Sequence, residues 1–189
     1  MEEKELVIKS QKGDQEAFSV LVENYKRKVF NLALSMTHNP EVSDDMAQEV
    51  FIKAYYGLPK FKLHSQLGTW LYQITVNTVR DFLRKEARTK KVTFTEKVEN
   101  TAAIEDEFLK REEMDEKERR KKLLRRVIGT LPEKYRIILS LRDIQGLSYE
   151  TITKILNISP GTVDSRLHRA RKLLRKKMLP HMVREGVIS

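Results

Sequence analysis

Two groups of polar side chains in the sequence have the residue types and the spacing to bind a nucleic acid. The first group is Gln73, Asn77, Arg80 and Arg84, which a helix would align along a single stripe. Its amides can exchange hydrogen bonds with base edges, and its guanidinium groups can also bind phosphates. A solvated helix face is the alternative interpretation, but such a face usually carries more Glu and Lys. The stripe therefore slightly favours a nucleic-acid surface.

The second group follows Pro160, where basic and small polar residues alternate with apolar ones. Val163, Leu167, Ala170 and Leu174 fall on one helical face, which leaves the other face free to bind DNA. We expect the first turns to meet base edges and the later cations to meet phosphates. The candidate residues for this second contact are Thr162, Asp164, Ser165, Arg166, His168, Arg169 and Lys172.

Residues 147–163 have the pattern of a helix-turn-helix. Ser148 can cap a short helix, and Asn157 with Ile158 can make a tight turn. Ser159 can then cap a second helix whose first position is Pro160. Two further helices are predicted upstream, separated by a break at Leu131 and Pro132.

The first 88 residues predict several amphipathic helices. One begins after Asp14 and continues to Met36, and Asn39-Pro40 interrupts the chain before a strong helix over residues 43–55. Met46, Val50 and Ala54 on that helix can point inward. Its other face carries Asp45, Gln48, Glu49 and Lys53. An ordinary solvent-exposed helix face would have the same residue types. A loop over residues 57–68 is predicted to lead to the helix that bears the polar stripe. The opposite face of that helix carries the predicted core residues Trp70, Leu71, Ile74, Thr78 and Phe82.

The charge is concentrated at one end of the chain. The 189 residues have a formal net charge of +10, and residues 123–189 account for +9 of it, with 14 basic and 5 acidic side chains. Residues 92–122 are net negative, and residues 1–91 carry only +3. The basic third has the electrostatic character of a surface that meets a polyanion.

The composition shifts predict two small domains. We expect an all-α protein with domains at residues 1–88 and 111–189, joined by a flexible linker at 89–110. The second domain should contain four helices, including the helix-turn-helix. The acidic run from Glu96 to Glu118 is either a solvated segment or one that occupies a channel built for nucleic acid.

Several classes of protein are disfavoured. The chain has no cysteine, so it can form neither a disulfide framework nor a thiolate metal site. Its four histidines lack metal-ligand spacing, and no glycine-rich phosphate loop or catalytic triad pattern is present. We therefore expect no enzyme activity, no metal and no cofactor. No signal peptide or membrane segment is recognised, so we expect a cytoplasmic protein.

Four segments of the chain resemble the signatures of extracytoplasmic-function (ECF) bacterial sigma factors, and they occur in the family's order. The segments are 45–51 (DMAQEVF), 69–72 (TWLY) together with Asn77, 131–136 (LPEKYR) and 161–171 (GTVDSRLHRAR). The resemblance covers about residues 8–178. It implies sigma domains two and four, a function in transcription initiation, and three partners: core RNA polymerase, promoter DNA and an anti-sigma factor. The free chain is expected to be a monomer.

The resemblance also implies roles for individual residues. Asp45, Gln48, Glu49 and Lys53 match the helix that docks on the polymerase. The minus-ten element of the promoter would be bound by Phe61, Lys62, His64, Gln73, Asn77, Arg80 and Arg84. The minus-35 element would be bound by the candidates between Thr162 and Lys172. Asp164 departs from the basic residue often found there, and an acid among phosphates costs affinity unless it accepts a hydrogen bond from cytosine.

Two other classes of protein fit parts of the pattern. A dimeric helix-turn-helix regulator with an amino-terminal regulatory domain would share the basic helices, but it would bind a palindromic site as a symmetric dimer. A stand-alone anti-sigma or RNA-binding adaptor would not support transcription by core polymerase. Solution mass and co-purification with core polymerase separate the first alternative from a sigma factor.

Overall fold

The computed structural model describes residues 2–62, 66–92, 123–124 and 126–184, with side chains to Arg88 in the second range and to His181 in the last. Every regular element in these ranges is helical, as predicted. Helical residues at 123–124 and 126–129 precede α5. The helices are α1 (Glu3–Gln11), α2 (Gln15–Thr37), α3 (Pro40–Gly57), α4 (Leu67–Val92), α5 (Glu133–Leu139), α6 (Tyr149–Leu156) and α7 (Pro160–Arg184).

Local capping explains where the helices of the amino-terminal unit (residues 2–92) begin. The Asp14 carboxylate accepts a hydrogen bond from the Ala17 amide at 2.9 Å, and the Asn39 side chain accepts from the amides of Glu41 and Val42. Between them α2 ends at His38, which adopts the left-handed conformation. The predicted breaks at Asp14 and Asn39 are therefore confirmed.

The structure also differs from the sequence prediction at several helix ends. The helix α1 was not predicted, and its Leu6 and Val7 are buried against the rest of the unit. The helix α3 begins at Pro40 rather than Ser43, and a short 3-10 turn at Leu58–Lys60 occupies the start of the predicted loop. The helix α4 continues to Val92, past the predicted boundary at residue 88. Beyond that point, the predicted linker lies outside the described residues.

The core of the amino-terminal unit is formed where α2, α3 and α4 pack together. Met46, Val50 and Ala54 of α3 are buried as predicted. Leu71 and Thr78 of α4 are buried too, while Trp70, Ile74 and Phe82 are partly buried. The helix α1 lies on α2 and on the 3-10 turn, so it closes one end of this core.

The carboxyl-terminal unit (residues 123–184) packs directly on the amino-terminal unit. In this arrangement α6 lies against α4, and α5 lies against α2. A single apolar cluster includes Met36 and Tyr72 from one unit and Leu131 and Ile138 from the other. The two units thus share a continuous core across the described residues. None of the described helices has the length and the apolar character needed to cross a bilayer.

Candidate nucleic-acid interface

The predicted stripe runs along the central part of α4, from Gln73 to Arg84. Asn77 and Arg84 are exposed, whereas Gln73 and Arg80 are half-buried. The Arg84 guanidinium lies 3.8 Å from the Asp81 carboxylate, one turn away on the same helix. All four stripe residues thus line one side of α4, but only two of them are fully open to solvent.

The carboxyl-terminal unit is what covers the other two stripe residues. The Gln73 side-chain amide donates to the backbone carbonyl of Lys154 at 3.0 Å, at the end of α6. The Arg80 Nε donates to the Glu133 carboxylate at 3.2 Å, at the start of α5. Next to them, the Tyr72 hydroxyl donates to the Gln145 side-chain oxygen at 3.2 Å. Polar groups predicted to meet DNA therefore meet protein here.

The helix α4 has a second buried face that the sequence analysis did not assign to the core. Tyr72, Thr75, Val76 and Val79 are all at most 5% exposed. The helix packs against α2 and α3 on one side and against α6 on another, which leaves only a narrow polar arc. A helix that is apolar over most of its circumference is one that has neighbours on several sides. The breadth of the apolar surface of α4 is visible in the sequence and could have indicated its contact with the carboxyl-terminal unit.

Phe61 and Lys62, two of the residues predicted to bind the minus-ten element, differ in their exposure. The Phe61 ring is only 8% exposed and packs against the Trp70 ring at 4.8 Å between centroids. The Phe61 carbonyl accepts from the Gln11 side-chain amide at 2.8 Å, which ties the loop to α1. Phe61 is therefore a core residue in this structure, not an exposed surface for a base. Lys62 is exposed, and His64 lies outside the described residues.

The helix-turn-helix is formed as the sequence predicts. The Ser148 hydroxyl accepts from the Thr151 amide at 3.1 Å to begin α6, and the Ser159 hydroxyl accepts from the Thr162 amide at 3.2 Å to begin α7. Asn157 turns the chain between them with a φ of 51°. Only Gly, Asn and Asp tolerate this conformation well, so the tight turn follows from the local sequence.

The candidate minus-35 residues occupy the exposed side of α7. Val163, Leu167 and Ala170 are buried against the unit, which turns the opposite side to solvent. Thr162 and Arg166 are half-buried, and the Thr162 hydroxyl lies 2.8 Å from that of Ser159. The fully exposed candidates are Asp164, Ser165, His168, Arg169 and Lys172.

One arginine near this surface is already paired with a carboxylate. The Arg171 guanidinium donates to both oxygens of Asp143, at 2.6 and 3.2 Å. This hydrogen bonding raises the pKa of Arg171. The pair holds α7 against the π-helical turn Ser140–Ile144, but it also neutralises a cation beside the predicted phosphate contacts. Sequence reasoning missed this pair because the two residues are far apart in the chain.

The polar face of α3 contains more than the four predicted residues. Asp45, Gln48 and Lys53 are exposed, and Lys53 pairs with the half-buried Glu49 at 2.7 Å. Ile52 is 57% exposed and Tyr56 is 76% exposed. They follow Asp45 by two and three helical turns and therefore lie on its face. Exposed apolar side chains between charged ones are typical of the centre of a protein-binding surface.

Arg136 links the two units by hydrogen bonds to backbone carbonyls in each of them. Its guanidinium donates to the carbonyls of Gly129 and Leu131 in its own unit and to the carbonyl of Met36 in the other, at 3.0 to 3.2 Å. Burial of the guanidinium lowers the pKa of Arg136. The Met36 carbonyl belongs to the last turn of α2, where no intrahelical donor remains. The arginine therefore completes the end of a helix in the opposite unit.

A cleft of about 510 Å³ lies beside Arg136, between the two units. One wall comes from α2 and includes Leu34 and His38, and the other includes Ile128, Gly129 and Ile144. The His38 ring lies so close to Gly129 that a Cβ there would be 3.0 Å from the His38 Nδ1. Burial, with a smaller effect of the Arg136 charge, lowers the pKa of His38 to about 4.

Across the described residues, the fold and the helix-turn-helix define an all-helical, two-unit protein of the DNA-binding type. The family model described as "Sigma-70 region 2" matches residues 21–89, and the model "Sigma-70, region 4" matches residues 121–174. The chain is 37% identical to the ECF RNA polymerase sigma-E factor of Escherichia coli over 179 residues, which are 93% of each chain. It is 35% identical to the RNA polymerase sigma-H factor of Pseudomonas aeruginosa, over 98% of this chain and 97% of the relative. The chain belongs to the ECF sigma factors.

Solved structures show the same fold. CnrH, solved in complex with the cytosolic domain of CnrY, matches with a TM-score of 0.67 at 24% identity, over 92% of this chain and 95% of that one. The sigma factor RpoE of Bartonella quintana, solved with the anti-sigma factor NepR, also matches with a TM-score of 0.67, at 23% identity over 85% of this chain and 96% of that one.

Proposed function

We propose that this protein binds core RNA polymerase, recognises the minus-35 and minus-10 elements of promoters, and promotes DNA opening. The observation that carries the proposal is the presence, in one chain, of a polar stripe on α4 and a helix-turn-helix with a basic exposed side. Each surface alone is small, so each alone would bind weakly. Two weak sites held at a fixed spacing by a polymerase gain affinity from their effective concentration.

The polymerase is bound by the exposed face of α3. Asp45, Gln48, Glu49 and Lys53 provide its charged and amide groups, as the resemblance implies. Ile52 and Tyr56 add apolar surface whose burial contributes affinity. We expect truncation of either apolar residue to weaken core binding more than removal of one exposed charge, since exposed ion pairs contribute only about 0 to 1 kcal/mol.

Downstream promoter DNA is bound along α4. Asn77 and Gln73 have the amides that read base edges, and Arg80 and Arg84 have the cations that hold the backbone. The resemblance also implies that Lys62 and His64, which precede α4 in the sequence, help to hold an extruded base. Extrusion costs a few kcal/mol of unstacking, so a pocket that holds the extruded base couples recognition to opening.

Upstream promoter DNA is bound by α7 lying in the major groove. The exposed Ser165, His168 and Arg169 are positioned early enough in the helix to reach bases or phosphates, and Lys172 follows one turn later. Asp164 accepts hydrogen bonds only, which favours a cytosine amino group as its partner. Recognition at this position would then differ from that of relatives with a basic residue there.

An anti-sigma factor is the third proposed partner. The two structural neighbours were each solved with a protein partner, one of them named as an anti-sigma factor. A chain that shares their fold offers the same kind of target. Co-purification of a stoichiometric partner that abolishes transcription in vitro would identify it, whereas a chain that is fully active in cell extract and binds no inhibitor would contradict this part of the proposal.

Run-off transcription with core polymerase tests the main proposal. A pool of genomic fragments should give promoter-dependent products only when the protein is added. The Asn77→Ala variant should reduce product by about tenfold, in line with the roughly 1 to 3 kcal/mol of a bidentate base contact. Asn24→Ala, at an exposed position on α2, is the matched control and should leave the yield unchanged. Absence of any product with the wild-type chain would refute the function.

A further inference from the structure

We propose that Gln11, the last residue of α1, is a positioning residue for promoter opening, because it fixes the backbone from which Lys62 leaves the protein core. The inference rests on the proposed function, in which Lys62 helps to hold an extruded base. The matched Sigma-70 region 2 model begins at residue 21, so α1 lies outside it. The side chain that links α1 to the residues before α4 therefore belongs to a part of the chain with no role assigned so far.

The Gln11 side-chain amide nitrogen has two hydrogen-bond partners, and both are distant in the sequence. It donates to the Leu58 carbonyl at 3.0 Å and to the Phe61 carbonyl at 2.8 Å, 47 and 50 residues further along the chain. A primary amide has two N–H donors on one nitrogen, so a single planar group can bind two carbonyls at once. Gln11 thus fixes the first residue of the 3-10 turn and the residue that follows the turn.

Phe61 is held from several directions. Its carbonyl accepts from Gln11, and its amide donates to the Leu58 carbonyl at 3.0 Å. Its ring packs on Trp70 in the first turn of α4, so that the residue is only 8% exposed. The next residue, Lys62, is exposed. The place at which Lys62 reaches the surface therefore depends on the contacts that hold Phe61.

A fixed Phe61 lowers the free-energy cost of capturing a base. Ordering the backbone of a residue costs conformational entropy, and this cost slows opening if the residue becomes ordered only when the base is bound. With Gln11 in place, Phe61 is already ordered in the free chain. The two hydrogen bonds should therefore speed the step that opens the duplex, while the first contact with closed duplex DNA should not depend on them.

Gln11→Met tests this role with little change in size. Methionine has nearly the same length and favours helices, but it donates no hydrogen bond. Tyr25→Phe is the matched control. The Tyr25 hydroxyl donates to the Glu3 carboxylate at 2.6 Å and so attaches the other end of α1 to α2. Loss of that hydroxyl loosens α1 but leaves the contacts of Phe61 in place.

The first measurement is the quenching of Trp70 fluorescence by acrylamide in the free chain. Trp70 is the only tryptophan, and the Phe61 ring covers part of it. Gln11→Met should raise the quenching constant, because Phe61 is then less firmly held on Trp70. Tyr25→Phe should keep the wild-type value. A wild-type quenching constant in Gln11→Met would overturn the proposal.

The second measurement is the rate of promoter opening by the holoenzyme. A promoter obtained by run-off transcription carries 2-aminopurine in its downstream element, and the fluorescence of this base rises when it unstacks. At saturating holoenzyme, Gln11→Met should lower the opening rate constant about tenfold, the factor expected when the backbone of one further residue must be ordered at that step. Its affinity for the closed duplex should be unchanged, and Tyr25→Phe should open the promoter at the wild-type rate. A wild-type rate in Gln11→Met, or equal slowing in both variants, would overturn the proposal.

An abasic template tests whether the effect of Gln11 passes through the extruded base. The abasic position on the non-template strand that slows wild-type opening most marks that base. On this template Gln11→Met should cause no further slowing, since two changes that remove the same interaction are not additive. The same tenfold loss on the intact and abasic templates would indicate a general structural effect and refute a positioning role.

Failure of the positioning role and failure of the proposed function give different results. If the wild type opens promoters and Gln11→Met opens them equally fast, the positioning role is refuted and the function stands. If the wild type opens no promoter with core polymerase, the function fails and the positioning role fails with it.

Discussion

Arg136 links the two units through backbone carbonyls, and its replacement by methionine should weaken the coupling between their unfolding transitions. The guanidinium donates to Gly129 and Leu131 in its own unit and to Met36 at the end of α2. Methionine keeps much of the apolar stem but donates no hydrogen bond. The change therefore removes one bond across the interface and two within the carboxyl-terminal unit.

The size of the effect follows from the number and quality of these bonds. A hydrogen bond from a charged group contributes about 1.5 to 3 kcal/mol net. Two of the three bonds share a single guanidinium nitrogen. The buried Arg136 Nε has no hydrogen-bond partner among the described residues, and its burial offsets part of the stabilisation that the three bonds provide. We therefore expect a loss of about 2 to 3 kcal/mol in the free energy of unfolding, of which about 1 kcal/mol is coupling between the units.

Arg142 offers a matched control. Its guanidinium donates to the Leu147 carbonyl at 2.7 Å and lies over the Tyr149 ring, both within the carboxyl-terminal unit. Arg142→Met should cost about 1 to 2 kcal/mol from one charged bond and one cation–π contact. It should not affect the contact with the amino-terminal unit.

Urea denaturation followed with two probes measures the uncoupling. Trp70 is the only tryptophan in the chain, so its fluorescence reports on the amino-terminal unit, while far-ultraviolet circular dichroism reports on all helices. The two curves should coincide for the wild type and for Arg142→Met, because the units share a core. For Arg136→Met both curves should shift to lower urea concentration, and the circular dichroism curve should shift further because two of the three lost bonds lie in the carboxyl-terminal unit. Coincident curves for Arg136→Met at an unchanged midpoint would refute the reasoning.

Three further predictions follow from single contacts. Asp143→Asn weakens the two bonds that neutralise Arg171, so affinity for duplex DNA should rise a few-fold in filter binding and its dependence on salt should steepen by about one counterion; an unchanged salt slope would contradict this. The pKa of His38 is lowered to about 4, so the unfolded chain takes up its proton first, and stability should fall as pH decreases from about 6.5 towards 4. Thermal melts of His38→Asn, which keeps a residue tolerant of the left-handed conformation, should lack that slope. Asp14→Ala removes the cap of α2 and should cost about 1 kcal/mol in chemical denaturation, while Asp14→Asn should cost only a few tenths.

Helices with clear local signals were predictable from the sequence. Asp14, Asn39, Ser148 and Ser159 each bond the backbone of the helix that follows, and such caps depend only on neighbouring residues. The helix-turn-helix followed from these caps together with the apolar spacing of α6 and α7. The short α1 was missed because its buried Leu6 and Val7 are adjacent residues among charged ones, which gives no helical period.

The contact between the units was not predictable by the same reasoning. Each helix was interpreted as having one core face, so Gln73 and Arg80 were assigned to solvent or DNA. Their partners, Lys154 and Glu133, lie 81 and 53 residues further along the chain, and nothing local indicates such pairs. The burial of Phe61 was not predicted for a related reason: its ring packs on Trp70, nine residues further along the chain.

The cleft between Leu34, His38 and Gly129 has walls from both units, so its volume exists only while the units are together. Any molecule that fills it binds the closed chain and has no site on the open one. By mass action, a concentration of 100 times its Kd would stabilise closure by about 2.7 kcal/mol. Such a molecule and any ligand that binds only the open chain would each weaken the binding of the other.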